Sequence, residues 1–287
     1  MHSIAHIINP FIADKSSDLY TAQPITFASM INAKQKAKDV ISVELYTAQF
    51  EEDKKIIPKD FNQTENLNRS VLTKNNFNHP IKLPFIIDIL ERLYNASKAE
   101  YLIYSNVDIG LYPDFYLKVN KFIDDGYDAF IINRRRLTAQ YKSVDDLKLI
   151  ENDFGKSHPG FDCFIFHRDL FPKFKLNGIC IGVPFIEISF SQNLFALSEN
   201  FKLYENENIT FHIGMEIYKK RAPKEYFDYN KIQFWNLVPL LYNNMDLEKF
   251  PYSNRLWPIR FIKWALHPCI PIRLVVKLEI DKLLNRK

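Results

Sequence analysis

Tyr101-Leu102-Ile103-Tyr104-Ser105-Asn106-Val107-Asp108 passes from an unbroken apolar and aromatic run to the polar residues Ser105, Asn106 and Asp108. Such a run fits a strand buried on both faces, the kind found in parallel sheets. Open α/β sheets bind ligands beyond the carboxyl ends of their strands, so Asn106 and Asp108 stand where a site is expected. A carboxylate there, with an asparagine two residues before it, can hold a hard divalent cation that bridges phosphate groups. The same residues also suit a turn, or an N-cap for the helix that should open near Pro113, because Asp and Asn are common at both.

Outward from this stretch, strand and helix patterns alternate. Upstream, residues 85–93 place Phe85, Ile86, Ile89, Leu90 and Leu93 on one apolar face, with Asp88, Glu91 and Arg92 elsewhere, which predicts an amphipathic helix. Residues 4–8 read as a first buried strand ended by Asn9-Pro10, a helical spacing runs from Pro24 to Ala33, and residues 41–46 read as a second strand. Residues 51–80 are polar and poor in periodicity, which predicts a long surface excursion with local helix at most. Downstream, Phe115, Tyr116, Val119, Phe122 and Ile123 mark a helix, residues 128–133 a strand, 161–166 a strand and 184–197 a helix. Short strands follow at 201–203 and 209–211. This order points to a layered α/β fold with parallel strands at its centre. No G-x-G-x-x-G follows the first strand, which argues against a dehydrogenase-type dinucleotide fold.

With 287 residues and 47% apolar content, the chain can bury a large core unaided by disulfides or metal. Its 38 basic and 34 acidic residues leave a net charge of +4, too small and too dispersed for a dedicated nucleic-acid binder. Cys163, Cys180 and Cys269 have no C-x-x-C spacing, so a reducing compartment such as the cytoplasm is expected. No stretch approaches the roughly 18 apolar residues of a membrane span, and the N-terminus has no signal-peptide pattern. All seven glycines lie between Gly110 and Gly214, where the backbone must turn or approach something closely.

Residues 251–287 differ from the preceding 250 and read as an appended helical tail. Arg255, Arg260, Lys263, Arg273, Lys277 and Lys282 interleave there with Trp257, Phe261, Trp264 and an aliphatic series, broken at Pro268 and Pro271. Two readings stand: a basic amphipathic helix pair on an inner membrane face, or a cap packing its aromatics on the main domain.

Leu83-Pro84-Phe85, Asp88-Ile89-Leu90, Tyr104-Ser-Asn-Val-Asp-Ile109 and Pro113-Asp-Phe-Tyr116 together resemble the sugar-nucleotide-binding half of GT-A-type glycosyltransferases, in which a D-x-D-like motif closes a central strand. His158-Pro-Gly-Phe-Asp-Cys-Phe-Ile-Phe166 is similar to the acceptor-side strand, and Phe211-His-Ile-Gly214 to the C-terminal element whose histidine completes the metal site. The resemblance runs in order from about Ile4 to Gly214 and departs from the family at Asn106, which stands at the first Asp of the motif. It implies a GT-A-like α/β fold, a central mostly parallel sheet flanked by helices. It also implies a nucleoside diphosphate sugar donor and a glycan or lipid-linked acceptor. Asp108 and His212 are then a two-ligand set for Mn²⁺ or Mg²⁺, although a lone histidine near an apolar strand is commonly structural. Glu187, opening a helix after a glycine-bearing loop, resembles the catalytic base of inverting members, and Asp162 is placed against the donor sugar or acceptor. Arg134, first of three arginines expected after the strand at 128–133, is a candidate for the diphosphate, since guanidinium pairs with phosphate in bidentate fashion. Asn9 and Asn106 complete the expected donor side. A non-catalytic glycan- or partner-binding module, or a nucleotidyltransferase, would use the same cleft.

Overall fold

A computed structural model describes residues 1–137, 141–213 and 223–284. In chain order these form β1 (Ser3–Ile8), α1 (Asp18–Ala37), β2 (Ser42–Thr47), β3 (Asn62–Gln63), α2 (Ile86–Ala96), β4 (Tyr101–Ser105), β5 (Ile109–Leu111), α3 (Phe115–Asp124) and β6 (Ala129–Arg136). There follow α4 (Leu147–Ile150), β7 (Lys156–His167), α5 (Ile186–Leu197), β8 (Phe201–Tyr204), β9 (Thr210–His212), α6 (Lys224–Leu241), α7 (Trp257–Leu266) and α8 (Ile272–Leu283). The strands make one sheet in the order β3-β2-β1-β4-β7-β6-β9-β5. The outer side of β6 is shared: its first half pairs with β8 and its end with β9, both parallel. Strands β3, β2, β1 and β4 run parallel, whereas β7 is antiparallel to both its neighbours, β4 and β6.

Strand periodicity sorts the core into two layers. Leu102 and Tyr104 of β4, Ala129 and Ile131 of β6, and Phe164 and Phe166 of β7 join the layer of α2, α5 and α6. Tyr101 and Ile103, Phe130 and Ile132, and Cys163 and Ile165 join the opposite layer, under α1 and α3. His6 is wholly buried in that second layer, facing the Tyr116 hydroxyl at 2.9 Å and Ser105 Oγ at 2.8 Å. Burial lowers its pKa to about 3, so the ring is neutral and ties the end of β4 to α3.

Four expectations need correction. The first helix starts at Asp18, not near Pro24, because Ser17 caps it by accepting the Leu19 N–H. Pro24 sits inside, its missing N–H offset by the burial of Ile25, Met30 and Ala33. Residues 51–80 are not merely a surface excursion: Phe61, Leu67 and Val71 are buried singly, Asp53 accepts the Ile12 N–H at 2.9 Å, and β3 extends the sheet. Isolated anchors leave no periodicity to read. Asp88 is buried as well, held by Arg69 through bonds of 2.5 and 2.7 Å. Finally, Arg134, Arg135 and Arg136 do not follow a strand but end β6.

The last two helices pack partly on the main core. Trp264 is 1% exposed and donates its indole N–H to Pro251 O at 2.5 Å, and Leu274, Val275 and Leu278 join the α5–α6 layer. The cap reading therefore holds for Trp264, but Trp257 is 57% exposed and stacks only on Phe261, at 5.6 Å between ring centres. No described helix is long and apolar enough to cross a membrane.

Candidate active site

Asn106-Val107-Asp108 turns the chain from β4 into β5, the Ile109 N–H bonding back to Asn106 O at 3.1 Å. Asp108 caps no helix: α3 begins at Phe115, and β5 lies between. Strand β5 pairs antiparallel with β9, setting Ile109 opposite His212, and the Ile213 N–H reaches Asp108 O at 3.2 Å. The pairing needs a glycine at position 110, where any Cβ would run into the Phe211 ring. The side chains follow the backbone: His212 Nε2 lies 3.0 Å from Asp108 Oδ2, both about nine-tenths buried. Burial pushes the Asp108 carboxyl up, but the His212 hydrogen bond and the positive charges of His212 and Arg134 outweigh it and hold it below the usual carboxylate range. Gly214, the last residue of the H-x-G element, lies outside the described residues.

A second pair stands beside the first. Arg134 of β6 forms an ion pair with Asp162 of β7, across a register irregularity between the two strands at Asn133. Asp162 is 1% exposed, and its Oδ2 has no hydrogen-bond partner among the described residues. Desolvation raises its pKa even against the charge of Arg134. Such an unfilled buried acceptor is costly by about 1–3 kcal/mol unless something donates to it. His158, on the same strand, accepts the Gly160 N–H at 2.9 Å and is held neutral, its pKa lowered to about 4 by burial and the charges of Arg134 and His212.

Glu187 enters from the opposite layer, in the first turn of α5. Burial, helped by the negative charges of Asp162 and Asp108 and opposed by its own backbone N–H and Arg134, lifts its pKa to about 7. Glu187 thus shares one electrostatic neighbourhood with both pairs. The turn that delivers it is strained. Phe185, at the N-cap, has φ 81°, a left-handed conformation rare for a bulky residue, and Gly182 precedes it at φ 82°. What holds the turn is Asn230 of α6, fully buried. Its Oδ1 accepts the Cys180 N–H at 3.0 Å, and its Nδ2 donates to Cys180 O at 2.8 Å and Pro184 O at 3.1 Å. Helix α6 is not among the elements expected from sequence. The signal for it is the series Tyr226, Asn230, Phe234 at i, i+4, i+8, in which a polar residue occupies a core position.

The remaining expected residues take supporting places. Asn106 Oδ1 accepts the Tyr104 hydroxyl at 2.9 Å, and Asn9, at the end of β1, donates to Ala48 O at 2.6 Å and so ties β1 to β2. Arg135 is spent on the carbonyls of Phe154 and Gly155, at 2.7 and 2.8 Å. Among the described residues no group of three or more His, Cys, Asp and Glu side chains gathers in a metal-binding cluster. Asp108 and His212 supply one oxygen and one imidazole nitrogen at a shared point, a donor set that fits Mn²⁺ or Mg²⁺ when phosphate oxygens and water fill the other positions.

No family model matches the sequence, and neither does any curated protein. Solved structures do. TarS 1–349 of S. aureus, in complex with UDP-GlcNAc, superposes with a TM-score of 0.51 at 12% identity, over 87% of this chain and 68% of that one. A longer S. aureus TarS structure matches at 0.49 and 10%, over 87% of this chain and 41% of that one, so the present chain spans less than half of it. A 4-diphosphocytidyl-2C-methyl-D-erythritol synthase from Anaerococcus prevotii matches at 0.42 and 11%, over 80% of this chain and 98% of that one. TarS is a GT-A-type glycosyltransferase, and the fold of this chain is GT-A-like, as the sequence resemblance implies.

Proposed function

We propose that the protein is a glycosyltransferase that moves a sugar from a nucleoside diphosphate donor to a hydroxyl of a glycan or lipid-linked acceptor. The observation that carries this reading is the convergence of Glu187, the Arg134–Asp162 pair and the Asp108–His212 pair at one end of the sheet, with Asp162 Oδ2 left unfilled. The crystallised relative that binds UDP-GlcNAc supports the donor class.

In this reading Asp162 Oδ2 accepts a hydrogen bond from a sugar hydroxyl, which removes the desolvation cost of that oxygen. Arg134, fixed by the other carboxylate oxygen, adds a permanent positive charge toward the leaving diphosphate. Glu187, with a pKa of about 7, is available as the carboxylate at neutral pH and takes the proton of the acceptor hydroxyl. The acceptor oxygen then bonds to the anomeric carbon with inversion, the bond from that carbon to the diphosphate oxygen breaks, and the proton ends on Glu187. Asp108 and His212 would hold the Mn²⁺ or Mg²⁺ ion, which when bound neutralises charge on the diphosphate.

The test is a panel of nucleoside diphosphate sugars, each assayed for donor hydrolysis and transfer with Mn²⁺, with Mg²⁺ and with chelator. Nucleoside diphosphate release from at least one donor, lost on chelation, is the expected result. One observation favours a second reading, a glycan-binding module: the protein brings only two metal-ligating side chains together among the described residues, and Asn106 is engaged by Tyr104. Saturable donor binding with no turnover across the panel would select it.

A further inference from the structure

Helices α7 and α8 each carry two apolar faces, and only one is used by the core. In α7, Trp264 points inward while Ile259, Ile262 and Leu266, at i, i+3 and i+7, line the outer side, with Leu266 78% exposed. In α8, Leu274, Val275 and Leu278 are buried, and Val276, Ile280 and Leu283, at i, i+4 and i+7, form a second outer stripe, with Leu283 80% exposed. A helix serving only as a cap would be polar on that side.

The charges around these stripes have one sign. Between residues 255 and 284 the exposed charged residues are Arg255, Lys263, Arg273, Lys277 and Lys282, all cationic. The two acids of the segment are only partly exposed and already engaged: Glu279 accepts from Arg260 at 2.7 Å, and Asp281 accepts the Tyr242 hydroxyl. A second copy of the chain, docked isologously through this face, would set the same cations against themselves. An anionic lipid surface complements both features, apolar stripes entering the acyl boundary and lysine and arginine heads remaining among the phosphates.

We propose that α7 and α8 form an in-plane docking surface for an anionic phospholipid bilayer. The hairpin that would dock also touches the site. His267, between the two helices, packs on Phe161 at 5.1 Å between ring centres, next to Asp162. The hairpin thus packs against the strand that carries Asp162. Docking itself does not depend on the transfer reaction and is measured without it.

The experiment is co-sedimentation of the full chain with phosphatidylglycerol vesicles and with pure phosphatidylcholine vesicles. Binding to the anionic vesicles is expected, at least about tenfold tighter than to the zwitterionic ones and weakened by salt. The triple variant Ile262→Asp/Leu266→Asp/Ile280→Asp should lose binding with donor binding retained. Should those substitutions reduce folding, Arg273→Glu/Lys282→Glu, at exposed positions, should weaken binding by about thirtyfold or more. Failure of the wild-type chain to bind phosphatidylglycerol vesicles overturns the proposal, as does undiminished binding by the folded variants. A dimer that the triple variant splits, without vesicle binding by the wild type, would assign the face to a second copy and also overturn it.

Discussion

Asp108 and His212, 104 residues apart in sequence, meet side chain to side chain at 3.0 Å because β5 and β9 pair immediately beside them. If the two act as one unit on a cation and the diphosphate, Asp108→Asn should lower Mn²⁺-dependent donor turnover about a hundredfold or more, equivalent to about 3 kcal/mol of transition-state stabilisation. His212→Ala should act in the same direction, and the double variant should lose less than the sum. Full additivity across the cycle would count against a shared role.

Glu187 should set the acid limb of the pH–rate profile. Its carboxyl ionises at about 7, so transfer should rise through that pH and level off above it. Glu187→Gln should abolish the limb and reduce the rate by about 10²- to 10⁴-fold. Its effect on stability has the opposite sign. A carboxyl whose folded pKa is raised favours folding below its unfolded value, near 4.3, and loses that advantage as pH rises through 7. The glutamine variant should therefore melt higher than the wild type at pH 8 while being inactive. Equal melting temperatures at pH 8 would mean that the carboxyl is not desolvated.

Arg134 and Asp162 form a buried pair in which removing one partner strands the other. Arg134→Ala should destabilise the fold by about 3–5 kcal/mol in urea titrations. Arg134→Met/Asp162→Leu should recover most of that loss, since an apolar replacement of similar volume removes both desolvation costs. The recovered fold should show no donor turnover, whereas turnover comparable to wild type would remove the pair from the site.

Asn230 is tested through what it holds. Asn230→Leu leaves the Cys180 N–H and two carbonyls without their partners and should cost roughly 3 kcal/mol or more of stability. Because the released loop positions Glu187, the ionisation near pH 7 should shift in the active residue that remains. A loss of stability with an unchanged pH profile would confine Asn230 to the core.

The tryptophans of the C-terminal hairpin should separate cleanly. Trp264→Ala removes a fully buried indole and its bond to Pro251, an expected loss of about 3–5 kcal/mol. Trp257→Ala should stay within about 0.5 kcal/mol. Equal effects would show that both rings serve packing.

What the sequence made legible follows its periodicity. The apolar run at 101–104, the one-faced pattern at 85–93 and the alternation at 161–166 each correspond to an element of the fold, because burial on one face or two imposes a pattern. The expected site residues Asp108, His212, Asp162, Arg134 and Glu187 come together in space. Pairing was not legible: nothing local says that Arg134 meets Asp162, or that β7 runs antiparallel. Asn230 escaped because a single polar residue on an apolar face has no spacing of its own, and Phe61, Leu67 and Val71 escaped as lone anchors in polar sequence. Asp88 looked outward because a carboxylate carries no mark of the arginine that will bury it.

The position of β7 also has a kinetic meaning. It is the seam between β3-β2-β1-β4 and the strands beyond it, and the chain reaches it only after β6 has been made. Asp162 lies on the seam strand itself, and Asp108 stands on the link that crosses from β4 in one half to β5 in the other, so the complete site exists only once the seam is closed. Joining the halves by seating β7 on β4 closes a loop of about 60 residues, from Ser105 to Cys163, before those contacts are formed, which makes the step slow and late. Refolding time courses should therefore show recovery of donor binding coinciding with the final cooperative phase, without an earlier species that binds.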